Sequence, residues 1–165
     1  MIACFRNIEP GPFSVLNRLT SVTDPLSGTT SYTYDDLGNM LTLTDPVGNT
    51  TTWTYDGLGR VKTEAKTVAT GLNANGAPVT TTATRSYQYD LAGELTQSTD
   101  ADGRVITYQY DAFGRETGEA WEDAGSLQTE TLAFVYDALG RMLSASDGHF
   151  ATAGDPNSIT YNSYA

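Results

Sequence analysis

A single cysteine, Cys4, in 165 residues leaves room for neither an internal disulfide framework nor a cysteine-based metal site. Histidine is equally scarce. His149 stands alone with no serine-rich elbow beside it, so no His-dependent catalytic triad can be read, and a loop-capping role is expected for it. No run approaches the roughly 18 apolar residues of a membrane span. Arg6, Asn7, Glu9 and Pro10 occupy the stretch where a signal peptide needs its apolar core, so any export is expected to use another route or a segment outside this sequence. Basic residues number 9 against 20 acidic ones, and the net charge of −11 argues against nucleic acid or an anionic membrane as partner, since both attract Lys and Arg. Helix-period apolar patterns are also hard to find. Tyr, Thr and Gly are frequent instead, which points to an all-β chain whose length allows one domain with a sizeable core.

What is present is a repeat. Tyr108 to Arg115 (YQYDAFGR) recurs as Tyr32 to Asn39 (YTYDDLGN), Trp53 to Arg60 (WTYDGLGR), Tyr87 to Glu94 (YQYDLAGE) and Phe134 to Arg141 (FVYDALGR). The shared pattern is aromatic-x-Tyr-Asp-x-x-Gly. Aromatics two apart lie on one face of an extended strand. Asp opens a turn by accepting a backbone N–H, and Gly closes it in the left-handed conformation, which together describe a type I turn followed by a glycine bulge. The repeat-defining positions are therefore Tyr34, Asp35 and Gly38; Tyr55, Asp56 and Gly59; Tyr89, Asp90 and Gly93; Tyr110, Asp111 and Gly114; and Tyr136, Asp137 and Gly140. The residue before Gly is apolar (Leu37, Leu58, Ala92, Phe113, Leu139), and its side chain is expected to fold back over the strand ends.

A second turn signal, Thr-Asp-Pro at 23–25 and at 44–46, is offset by 21 residues and aligns Ser14-Val15-Leu16-Asn17 with the turn at Asp35. Ser replaces Asp as acceptor there, and Asn replaces Gly in the left-handed position. Asn39 to Thr44 reads as a strand with Met40 on one face and Leu41 and Leu43 on the other, returned by Asp45-Pro46-Val47-Gly48 into Asn49 to Tyr55. The Tyr-Asp spacing runs 21 from Tyr34 to Tyr55, 34 to Tyr89, 21 to Tyr110 and 26 to Tyr136, so longer hairpins are expected near 65–80 and 121–127, with their tips at one edge of the sheet. Met1 to Pro12 and Ile159 to Asn162 read as incomplete units around a loose segment, Phe150 to Ser158, and a cut from a longer array is expected. The expected architecture is one array over 1–165, made of repetitive antiparallel β-hairpins in a continuous twisted sheet or ribbon. Unpaired strand edges at its two ends should favour edge-to-edge self-association.

The Tyr-Asp copies, the Gly-Arg that follows in three of them and the Thr-Asp-Pro turns between resemble the YD repeats of bacterial RHS proteins, over roughly Asn17 to Arg141. The resemblance implies a segment of a hairpin ribbon that winds into a hollow shell, enclosing a C-terminal toxin domain or belonging to a toxin complex, in a bacterial protein destined for secretion or the cell surface. Partners would be adjacent repeats, and an enclosed toxin domain or a surface glycan. The alternative that it implies is an extracellular carbohydrate-binding or adhesion module. This sequence lacks the family's variable toxin domain and secretion-linked N-terminal domain, and has too few repeats to enclose a cargo alone.

Reactive readings are weaker. Asp45-Pro46-Val47-Gly48 contains the Asp-Pro-x-Gly string of the family's self-cleaving motif, but it lies between ordinary hairpins without its companion landmark. Asp100-Ala101-Asp102-Gly103 opens like a calcium loop yet lacks the closing bidentate acid, and Asn49-Thr50-Thr51 matches a glycosylation acceptor but reads as a strand start. No catalytic residue, metal or cofactor is expected. The aromatic pairs Tyr32/Tyr34, Trp53/Tyr55, Tyr87/Tyr89, Tyr108/Tyr110 and Phe134/Tyr136 are expected to form core ladders between stacked hairpins, with Trp53 and Trp121 as candidate ligand-stacking residues.

Overall fold

A computed structural model describes residues 9–10, 12–14, 16–125, 128–147 and 160–162. Cys4, His149, the segment Phe150 to Ser158, most of the first strand and the tip at 126–127 lie outside the described residues. Among the described residues every regular element is a strand. These are β1 (Glu9–Pro10), β2 (Ser21–Thr23), β3 (Thr29–Tyr34), β4 (Met40–Thr44), β5 (Thr50–Tyr55), β6 (Val61–Leu72) and β7 (Pro78–Tyr89), followed by β8 (Leu95–Thr99), β9 (Val105–Tyr110), β10 (Glu116–Glu122), β11 (Gln128–Tyr136), β12 (Met142–Asp147) and β13 (Thr160–Asn162). Each pairs with its chain neighbours, and the registers are antiparallel. The contacts divide the chain into two compact units, Met1–Thr84 and Arg85–Ala165.

Within the first unit the two faces differ in chemistry. Tyr32 stands opposite Leu43 and Trp53 opposite Glu64 on one face. On the other face Thr33 pairs with Thr42 and Thr54 with Thr63, each pair sharing a hydroxyl hydrogen bond of 2.6 Å. Such cross-strand pairs are the unit of sheet stabilisation and suit the β-branched side chains found here. In the second unit Gln88 and Gln97 take the equivalent role through a side-chain amide bond.

Neither unit closes a core. No described hydrophobic side chain is fully buried, and the aromatic pairs expected to be core are half-buried. A single sheet layer has nothing to pack against, so its aromatics keep one side open.

The turns also differ from expectation in one respect. Leu37 is 87% exposed, Leu58 76%, Phe113 84% and Leu139 81%, so the apolar residue before Gly points outward and does not fold over the strand ends. Asp occupies the inner side of each turn with its own hydrogen bonds, which leaves this position projecting from the rim.

The inserted hairpin at 65–80 forms an arm. β6 pairs with β5 only as far as Thr67, opposite Thr50, and the strand continues to Leu72 before the turn Asn73 to Ala77. Thr67 bonds Thr82 at 2.8 Å and the Thr70 hydroxyl donates to the Val79 carbonyl at 3.2 Å, so the arm is a two-stranded extension of the rim that carries the turn at Asp45.

Candidate functional site: the repeated rim turn and its hydroxyl latch

Both rims are built from one turn. Asp35 N–H donates to the Asn39 carbonyl (2.9 Å), and Gly38 N–H donates back to the Asp35 carbonyl (3.2 Å), with Gly38 at φ 97°. The same pair of bonds closes the turns at Asp45, Asp56, Asn73, Asp90, Asp100, Asp111 and Asp137. Asn17 takes the left-handed position at φ 57° in the degenerate copy opened by Ser14, and Ser27 does so at φ 67° in the turn at Asp24. Asp45-Pro46-Val47-Gly48 and Asp100-Ala101-Asp102-Gly103 are thus ordinary members of the series.

The aspartate fills three demands in the turns at Asp45, Asp56, Asp100, Asp111 and Asp137. The Asp111 carboxylate accepts Phe113 N–H at 2.8 Å, Arg115 N–H at 3.1 Å and the Arg115 guanidinium at 2.7 Å. Asp56 with Arg60 and Asp137 with Arg141 repeat this, while Asn39 replaces the arginine beside Asp35. These bonds favour the ionised form. The side-chain bond from Arg115 is the first cause holding Asp111 below its usual range, the backbone N–H of Arg60 does so for Asp56, and that of Arg141 for Asp137. At Asp45 and Asp100 partial burial is the largest single influence and acts upward, but the combined hydrogen bonds outweigh it.

Glu94 breaks the pattern. It stands where other copies have Arg or Asn, and burial followed by the charge of Asp90 raises its carboxyl above the ordinary value. Glu116 is raised likewise, by burial and then by hydrogen bonding with Glu119. The two classes act in opposite directions on stability. A carboxyl raised in the folded state favours folding as pH falls from neutrality toward the unfolded value of about 4.3, whereas the depressed aspartates withdraw their contribution as pH falls below about 3.9 and through their folded values. Melting temperature is therefore expected to peak in mildly acidic buffer and drop steeply below it; a monotonic decline from neutrality would contradict the assignment of Glu94 and Glu116.

A second, less visible irregularity follows each turn. Tyr34 stands opposite Met40 while Thr33 stands opposite Thr42, so Leu41 is one residue too many and forms a bulge, in place of the simple alternation expected for Met40, Leu41 and Leu43. The same shift recurs at Tyr55, Tyr89, Tyr110 and Tyr136. A bulge disrupts the ladder and leaves backbone groups in need of partners. The carbonyl just before the bulged residue is taken by the tyrosine of the next copy. Tyr55 donates its hydroxyl to Met40 O (2.7 Å), Tyr34 to Leu19 O (2.9 Å), Tyr110 to Leu95 O (2.9 Å) and Tyr136 to Glu116 O (2.8 Å). Burial, then neighbouring carboxylates, raises the hydroxyls of Tyr55 and Tyr110, which keeps them as donors. Tyr34, Tyr55, Tyr110 and Tyr136 are thus latches between consecutive hairpins, and the latch is invisible to pattern reading because its acceptor is backbone.

Arginines add to the latch. The Arg18 guanidinium donates to the Asp35 carbonyl at 2.6 Å and lies 5.0 Å from the Tyr34 ring; Arg115 donates to the Asp137 carbonyl at 3.0 Å and lies 4.8 Å from the Tyr136 ring. The glycine also gains a second reason to be glycine. A Cβ on Gly114 would lie 2.8 Å from Glu94 Oε1 of the preceding turn.

The two candidate stacking residues are not alike. Trp53 is half-buried opposite Glu64. Trp121 is 36% exposed, donates its indole N–H to Glu119 at 2.8 Å, and lines a shallow recess of about 100 Å³ with Ser98, Asp100, Arg104 and Ile106. Arg104 is held in this recess by Asp100 at 2.7 Å.

Comparison with known proteins agrees with the repeat geometry. The chain has the fold of part of the crystal structure of TcdB2-TccC3-TEV, with a TM-score of 0.71 at 18% identity, over 86% of this chain and 8% of that one. The Photorhabdus luminescens Tc holotoxin pore aligns at 13% identity over 81% of this chain and 10% of that one, with a TM-score of only 0.40. The chain therefore spans about a tenth or less of the length of these proteins. No curated protein sequence matches it. The RHS Repeat family matches residues 13–50, 41–72 and 89–120, more than half of the chain and including four of the five Tyr-Asp-x-x-Gly turns, and the chain belongs to that family.

Proposed function

We propose that this chain is a non-enzymatic wall segment of an RHS-type shell, of the kind that encloses a toxic polypeptide. The observation that carries the reading is the hydroxyl latch: the most repeated side chains spend their polar atoms on joining one hairpin to the next, so the motif builds surface. The half-buried single layer supports the same reading, since a wall needs two usable faces and no core. Its test is the protease sensitivity of any polypeptide encoded directly downstream, produced together with a complete repeat array that includes this segment. Protection that ends when the array is melted is expected; cleavage at the same rate with and without the array overturns enclosure.

A second reading, a carbohydrate-binding or adhesion surface, draws on the Trp121 recess, where an exposed indole edge adjoins the hydroxyl of Ser98 and the ion pair of Asp100 and Arg104. Saturable glycan binding abolished in Trp121→Ala at an unchanged melting temperature would favour it, with Trp53→Ala as the comparison. Absence of binding across a broad glycan panel would remove it.

A further inference from the structure

The residue that follows the left-handed position of each turn does two jobs, and at one turn its chemistry is reversed. Its first job is to donate to Oδ2 of the aspartate that opens its own turn. Asn39 gives Asp35 this bond at 2.8 Å and Asn49 gives it to Asp45 at 2.7 Å. Arg60, Arg104, Arg115 and Arg141 give it to Asp56, Asp100, Asp111 and Asp137, each at 2.7 Å. Its second job is to lie over the next turn on the same rim. Arg18 reaches within 3.6 Å of the place a Cβ would take on Gly38, Asn39 within 3.7 Å at Gly59 and Arg115 within 3.9 Å at Gly140. The two arginines also donate to the carbonyls of Asp35 and Asp137 in those turns. Both jobs call for a hydrogen-bond donor.

Glu94 holds this position between the turns at Asp90 and Asp111. It covers the next turn more closely than Arg18, Asn39 or Arg115 do, with Oε1 2.8 Å from the Cβ place of Gly114. The backbone of its own turn is formed as elsewhere, since the N–H groups of Glu94 and Gly93 donate to Asp90 Oδ1 at 2.9 and 2.8 Å. The side chain is what differs. An ionised carboxylate only accepts, whereas a protonated one has a single O–H to give.

We infer that the joint between the turns at Asp90 and Asp111 is operated by a proton: with it Glu94 donates to the Asp90 carboxylate as Asn and Arg do in the other turns, and without it two carboxylates face each other and the joint loosens. The groups around Glu94 suit such a switch. On its own turn it faces Asp90, and on the next it faces Asp111, with Tyr110 alongside and Glu116 opposite Tyr110. β8, which follows Glu94 directly, carries no charged side chain. Arg115, the cation of the next turn, is engaged by Asp111 at 2.6 Å and reaches onward to the Asp137 carbonyl.

Partial burial, then the charge of Asp90, holds the Glu94 carboxyl above its ordinary value, while hydrogen bonds, first that from the Glu94 N–H, hold Asp90 below its own. A single proton therefore settles on Glu94 and leaves Asp90 ionised. A carboxyl raised in the folded state contributes fully below its unfolded value of about 4.3 and loses that contribution as pH rises through the folded value. The depressed Asp90 sets the opposite limit, since its contribution is lost as pH falls below about 3.9 and through its folded value. The joint is thus tight in mild acid and loose at neutrality. Leu95, next in the chain, offers its carbonyl to the Tyr110 hydroxyl at 2.9 Å, so the joint lies directly beside a latch.

The inference concerns this one joint and holds whether or not a shell encloses anything. Amide exchange on the full 165-residue chain tests it, with rates divided by the intrinsic rate at each pH. The turn at Asp137, where Arg141 stands in the same place, is the internal control. Between about pH 7.5 and about pH 4.5, close to the ordinary value of a glutamate carboxyl, protection of the Gly93 and Glu94 amides should rise several-fold in the parent, and that of Gly140 and Arg141 should not. Glu94→Gln keeps a neutral donor, as Asn39 is at Asp35, and should show the parent's acid level of protection at both pH values. Glu94→Arg restores the residue of the sibling turns and should abolish the pH response as well. Equal protection at the two pH values in the parent, or a pH response that persists in both variants, would overturn the proton-operated joint, and persistence would assign the response to Glu116.

Discussion

Replacing Gly114 with Val is expected to lower stability by about 2–3 kcal/mol, the largest effect of any single turn substitution. Gly114 sits at φ 74°, where a β-branched residue meets the full left-handed penalty of about 1–2 kcal/mol. A Cβ would also approach Glu94 Oε1 at 2.8 Å, so the end of the Glu94 side chain has to shift as well. Gly76 provides the control. It has a similar φ of 77°, so the backbone penalty remains, but nothing lies within 4 Å of its Cβ. It also closes the tip of the arm, beyond the last pairing of β6 with β5, where local opening relieves strain without unfolding the sheet. Gly76→Val should therefore cost the global transition much less. Urea melts of the two variants check this, and equal loss would mean that the contact between successive turns contributes nothing.

Tyr110→Ala is expected to cost about 2–4 kcal/mol, at the lower side of the range for aromatic truncations because the ring is half-buried. Tyr110→Phe separates the hydroxyl from the ring. It keeps the packing on the strand but leaves Leu95 O without the donor that it has at 2.9 Å, for a loss of about 1 kcal/mol. The consequence should be local as well as global. Amide exchange should quicken in β8 and β9 on both sides of the broken latch, while the turn at Asp111, which closes through its own carboxylate, stays protected. A Phe variant as stable as the parent would make the hydroxyl bond incidental and leave the tyrosine as a packing residue alone.

The sequence by itself determined the local chemistry of the chain. Asp at the opening position and Gly in the left-handed one are demanded by backbone geometry within five residues, so the turns at Asp35, Asp56, Asp90, Asp111 and Asp137 could be read directly, and the substitutes Ser14 and Asn17 could be recognised beside them. Alternation of side chains did the same for the strands. Tertiary structure decided what lies between copies. The bulge opposite each motif tyrosine has no residue signature, since Leu41 and its counterpart Thr117 share no side chain, and the acceptor of the tyrosine hydroxyl is a carbonyl that every residue carries. The outward direction of Leu37, Leu58, Phe113 and Leu139 was equally hidden, because an apolar residue beside a turn can fold inward or project. Only when the aspartate filled the inner side of the turn, and the sheet remained a single layer with no second layer to receive the leucines, did the rim become their place.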